Sequence, residues 1–113
     1  MIVLVFESNL MWSSRLIRTL RKLGHEPLLR SKMPDSSEGA EAAIVNLGDP
    51  ALGPTLLVAK LKELGVTVIA HAGHKEKALM ELGKEAGVEI LASNSELTFK
   101  LEQLLTQALT RGA

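Results

Sequence analysis

Five short runs in this chain have the composition of strands buried on both faces, and segments of helical period lie between them. The clearest are MIVLVF at 1–6, AAIVNL at 42–47 and VTVIA at 66–70, with shorter runs PLLR at 27–30 and VEIL at 88–91. A strand with one wet face alternates apolar and polar residues. These runs are continuous, so the sheet they form must be covered on both sides. Between them the period lengthens. Trp12, Leu16, Leu20 and Leu23 recur at helical spacing, Ile17 widens the stripe, and Gly24 stands where a C-terminal cap belongs. Leu56, Leu57, Ala59, Leu61 and Leu64 define a helix that Pro54 opens and Gly65 closes. Another runs from about Lys75 to Ala86, ahead of Gly87. Ser93 and Glu96 have the spacing of a capping box in front of a final helix carrying Leu97, Leu101, Leu104, Leu105 and Ala108. Residues 31–40 are small, polar and weakly patterned. Asp35 or Ser36 is placed to cap a helix through Glu38 and Glu41, so the second helix is expected to be short or irregular.

Buried-type strands alternating with helices require right-handed crossovers, and these place a parallel sheet between two helical layers. The expectation is one three-layer α/β/α domain over residues 1–113, with a five-stranded sheet of flavodoxin-like order 2-1-3-4-5. That order puts the first and third strands on either side of the topological switch point, at the carboxyl ends of the strands. Glu7, Ser8 and Asn9 follow the first strand, Asn46 to Asp49 the third, His71 to His74 the fourth, and Ser93 and Asn94 the fifth.

Composition removes several chemistries. There is no cysteine, which excludes disulfides, thiolate catalysis and Cys-based metal sites and fits a reducing cytoplasm. Aromatic residues are 3% of the chain, too few for base-stacking platforms. Lys and Arg balance Asp and Glu at 13 each, which argues against a nucleic-acid binder. The balance is uneven, however: residues 1–32 hold six basic against two acidic side chains, with Arg15, Arg18 and Lys22 along one line of the first helix. No run approaches a membrane span, and the chain starts on a strand-like run without a basic leader, so a soluble cytoplasmic protein is expected. Neither a P-loop nor a G-x-G-x-x-G motif is present, and His71 with His74 is at most a two- or three-ligand zinc pattern, read here as solvated loop histidines. No metal, cofactor or catalytic residue is assigned.

Along nearly its whole length the chain resembles the receiver domain of bacterial response regulators. MIVLVFES…RLIRTLRKLGHEP is similar to that family's first strand, acidic pocket, first helix and entry to the second strand. AAIVNLGDP resembles its third strand with the phosphoacceptor and a following Pro. VTVIAHA resembles the fourth strand, and EAGVEIL the lead into the fifth. The resemblance implies two acids after the first strand to hold Mg²⁺, an Asp ending the third strand, a hydroxyl residue after the fourth and a Lys after the fifth. At those positions stand Glu7 and Ser8, Asn46, His71, and Ser93 or Asn94. One carboxylate is a poor Mg²⁺ site, and an amide does not form an acyl phosphate. The chain therefore looks like a pseudo-receiver.

The expected function is a non-catalytic signalling or adaptor domain that works by protein contact without phosphotransfer. The alternative is a small enzyme or ligand-binding protein using a polar pocket of Glu7, Asn46 and His71. For the adaptor, the expected contacts are a protein partner on the basic line of the first helix, or a homodimer through the fourth helix, fifth strand and fifth helix. Lys84 and Lys100 belong to that second face.

Overall fold

The computed structural model describes residues 1–112. Strands β1 (Ile2–Phe6), β2 (Glu26–Leu29), β3 (Ala42–Asn46), β4 (Thr67–Ala72) and β5 (Ile90–Ser93) form one sheet in the order β2-β1-β3-β4-β5. Every pairing is parallel. The helices are α1 (Leu10–Lys22), α2 (Pro54–Glu63), α3 (Lys77–Glu85), α4 (Asn94–Phe99) and α5 (Leu101–Gly112), and a 3₁₀ turn, Pro50–Leu52, precedes α2.

The two-residue period of the strands sorts their side chains into two cores. Val3, Val5, Ala42, Ile44, Ile69, Ile90 and Ala92 face one side, where Leu16 and Leu20 of α1, Leu97 of α4 and Leu101, Leu104 and Leu105 of α5 meet them. Leu4, Phe6, Ala43, Val45, Val68 and Ala70 face the other, against Leu57, Val58 and Leu61 of α2 and the partly buried Leu79 and Met80 of α3. The sheet is thus sandwiched as its unbroken apolar strands require.

α1, α2 and α3 end alike. Gly24, Gly65 and Gly87 hold φ of +87°, +78° and +80°, a region that side chains with a Cβ seldom enter. The amide just beyond each glycine reaches back into the last turn: His25 to Leu20 at 2.9 Å, Val66 to Leu61 at 3.0 Å, and Val88 to Gly83 at 3.1 Å. These turns satisfy carbonyls at the helix end and deliver the chain straight into the next strand.

Four details differ from the sequence expectation. The segment between β2 and β3 contains bends and turns only, so no helix forms where a short or irregular one is expected. It buries only Pro34 and Ala40, too little apolar surface to stabilise a helix. Arg30 instead clasps Glu38 with two bonds of 2.9 and 2.7 Å. β4 runs two residues past VTVIA and takes in His71 and Ala72. β5 starts at Ile90 rather than Val88 and ends on Ser93. The last helix is two, because Lys100 (φ −123°, ψ 23°) interrupts it between α4 and α5. Among the described residues, no helix is long and apolar enough to cross a membrane.

Candidate functional site

Strand register builds the site. Phe6 lies beside Val45, and Asn46 beside His71, so the next residue of the first strand, Glu7, falls level with Asn46 and His71. All three continue the alternation that sends Val5, Ile44 and Ile69 into the α1–α5 core. The carboxyl end of that core is therefore polar, and it is closed: Glu7 is 4% exposed and His71 1%.

Hydrogen bonds link the row. Asn46 Nδ2 donates to both Glu7 oxygens, at 3.0 and 3.1 Å, and the Asn9 amide donates to Glu7 Oε2 at 3.3 Å. Asn46 Oδ1 accepts from the Gly48 amide at 2.9 Å. His71 Nδ1 lies 2.7 Å from Asn94 Oδ1, an acceptor that calls for the ring proton on Nδ1. His71 Nε2 then faces Glu7 Oε1 at 3.9 Å, buried and without a hydrogen-bond partner. Burial holds the His71 pKa below its ordinary value, although the bond to Asn94 and the charge of Glu7 pull it upward. The imidazole is thus neutral at neutral pH, and its approach to Glu7 is not an ion pair. Trp12 of α1 covers the ring, with the two centroids 6.3 Å apart.

A second knot lies alongside. Asp49 Oδ2 accepts from the Ser8 amide at 3.2 Å and from the Ser8 hydroxyl, while Oδ1 accepts from the Ala51 amide at 3.1 Å and caps the 3₁₀ turn. Asp49 is 8% exposed, a second buried carboxylate that sequence reasoning did not single out. The signal was there: an Asp directly before a Pro that starts a helical turn is an N-cap pattern.

Among the residues expected to meet, Glu7, Asn46, His71 and Asn94 do so. Ser8 turns to Asp49 instead. Ser93 is separate as well, its hydroxyl accepting from the Glu96 amide at 3.0 Å and its amide donating to Glu96 Oε1 at 3.0 Å in the capping box of α4. His71 belongs to β4 rather than to a solvated loop, and only His74 is exposed there. Trp12, half-buried, lies against the His71 ring and outside both apolar cores. Arg15, Arg18 and Lys22 are exposed along α1, and Lys84 and Lys100 are exposed on α3 and at the α4–α5 break. Among the described residues, no three His, Asp or Glu side chains are grouped to hold a metal ion.

No family model matches the chain, and no curated protein matches it either. Solved structures do. The receiver domain of NtrX from Brucella abortus superposes with a TM-score of 0.76 at 16% identity, covering 97% of this chain and 98% of that one. A CheY-like response regulator receiver domain protein from Methanospirillum hungatei gives 0.72 at 17% identity, with 97% and 96% covered. NtrX from Brucella abortus solved with ADP gives 0.79 at 16% identity, and there the match covers 98% of this chain and 27% of the other. The fold is that of response regulator receiver domains, a flavodoxin-like parallel sheet of order 2-1-3-4-5 between helical layers.

Proposed function

We propose that residues 1–113 form a single receiver-like signalling domain that is not an enzyme and that acts by protein contact without phosphotransfer. The observation that carries this reading is Asn46. It ends β3 where the resemblance puts the phosphoacceptor, and its amide nitrogen is spent on both oxygens of Glu7. A neutral amide is not a nucleophile towards a phosphoryl group, and here its remaining oxygen is also engaged, by the Gly48 amide.

The Mg²⁺ that the resemblance implies does not fit these residues. A hard dication needs several oxygen ligands in near-octahedral array. Glu7 is already held by Asn46 and Asn9, and Asp49 by Ser8 and Ala51. The one unpartnered buried side-chain atom among the described residues is a nitrogen, His71 Nε2. A small enzyme or ligand-binding protein would need free polar groups lining a cleft, and these groups bond one another instead.

Of the two contact faces, α1 has the stronger support. The α3, β5 and α5 face presents mixed charge, with Lys84 already 3.5 Å from Glu81. Leu10, Met11 and Phe99 are exposed instead around α1 and the α4–α5 break. Intact-mass spectrometry after incubation with acetyl phosphate and Mg²⁺ tests the proposal. No added phosphoryl group is expected. One phosphoryl mass on the wild type, lost in Glu7→Ala, contradicts it.

A further inference from the structure

The surface of α1 combines two features, a run of basic residues and large exposed apolar side chains. Its residues from Leu10 to Lys22 include Arg15, Arg18, Arg21 and Lys22, all exposed, and no acidic residue. Large apolar side chains stand beside them. Leu10 is 76% exposed and Met11 80%, and Phe99, at the α4–α5 break, is 83% exposed. Between α1 and that break lies a cavity of about 250 Å³ lined by Trp12, Arg15, Leu16, Thr19, Thr98 and Phe99. Arg15 also lines the neighbouring hollow with Leu10, Met11 and Arg18, so this one arginine stands between the groove and the exposed apolar pair. The Arg15 guanidinium sits 6.0 Å from the centroid of the Trp12 ring, which keeps a cation at the lip of the groove.

Size and charge identify the occupant. The cavity is smaller than the roughly 300–1,000 Å³ usual for small-molecule sites, so it suits one inserted side chain. A second copy docked symmetrically on α1 would set its arginines against these, and like charges across an interface are repulsive. A head-to-tail contact would build rings or open chains rather than a closed dimer. A flat anionic bilayer would neutralise the arginines but leave a concave groove unfilled.

We propose that the groove between α1 and the α4–α5 break docks an acidic amphipathic helix of another protein. An apolar side chain of that helix enters beside Trp12 and Phe99, while its carboxylates meet Arg15 at the lip of the groove and Arg18 in the neighbouring hollow. This rests on the adaptor reading and names its partner by chemistry.

Trp12 is the sole tryptophan, so its fluorescence reports the groove directly. The test titrates the whole chain with a synthetic amphipathic helical peptide carrying a Leu/Phe stripe flanked by Glu, and with the same peptide carrying Lys in place of Glu. Vesicles of phosphatidylglycerol and of phosphatidylcholine are titrated in parallel. Each titration is run with and without acetyl phosphate and Mg²⁺. The acidic peptide is expected to shift Trp12 emission saturably, more weakly at high salt, and the Lys peptide to do nothing. The double change Arg15→Glu with Arg18→Glu should weaken binding at least about tenfold, as should Phe99→Ser. Lys60→Glu, on α2 across the sheet, should leave it unchanged. Binding to phosphatidylglycerol vesicles without binding to the peptide overturns the protein partner in favour of a membrane. No binding under either condition overturns the groove and leaves the reading without phosphotransfer to be tested by the mass spectrometry above. Binding seen only with the phosphodonor overturns the phosphorylation-independent reading instead.

Discussion

Asn46 decides more than any other residue, because a single atom separates it from the carboxylate that would change the chemistry of the site. In Asn46→Asp a half-buried carboxyl group would face the buried Glu7 across the present 3.0 Å bond. At neutral pH that should cost about 2–4 kcal/mol, or force one of them to take up a proton. Urea melts measure the loss. Saturating Mg²⁺ should recover part of it in the variant and leave the wild-type melt unchanged. His71 gives a pH prediction. Its folded pKa lies below the unfolded value of 6.5, so the unfolded chain binds the proton first as the solution is acidified. Stability should therefore be full above about pH 6.5 and fall as the pH drops towards the folded pKa. His25 is shifted the same way, chiefly by burial and by the nearby N-terminal amine. Melts from pH 7.5 to 5 should show the slope much reduced in His71→Gln and largely kept in His25→Gln. The reverse would place the sensitive group at the α1–β2 turn.

At the scale of elements, helix faces follow from spacing alone. Leu20 is fully buried against the sheet and Arg18 is exposed, so Leu20→Ala should cost ~2–5 kcal/mol and Arg18→Ala under ~0.5 kcal/mol in urea melts. α4 has only six residues and depends on its capping box, so Ser93→Ala should cost about 1 kcal/mol and should be seen first as faster amide exchange in α4. The same period-2 logic explains which site residues were legible. Glu7, Asn46 and His71 share the parity of Val5, Ile44 and Ile69, and Asn94 that of Ala92, so the row could be read once the strands were placed. Ser8 and Ser93 have the opposite parity, which the grouping of neighbours in sequence ignored. A polar residue after an apolar run looks like a strand end, so spacing alone puts His71 in a loop. Its burial depends on Asn94 and Trp12, which come from elements distant in sequence. The break at Lys100 leaves no mark in the leucine spacing, and the exposed Phe99 that it presents was likewise not foreseen.

For the whole molecule, strand order was legible because continuous apolar runs admit few arrangements. The two cores, one under α1, α4 and α5 and the other under α2 and α3, are the consequence. Sedimentation equilibrium at micromolar concentration should find a monomer that Lys84→Glu does not alter, since the surface around Lys84 is polar and charge-paired. A dimer dissociated by Lys84→Glu would move the contact face to α3, β5 and α5. The central claim is that a receiver fold here encloses a polar network that neither binds Mg²⁺ nor accepts a phosphoryl group. Amide NMR of the ¹⁵N-labelled chain, titrated with Mg²⁺ and fluoroberyllate as the phosphoryl mimic, tests it most directly. The account predicts no saturable shift at Glu7, Ser8, Asn46, Gly48 or His71. Saturable shifts at those amides, spreading into β4 and α4, would contradict it.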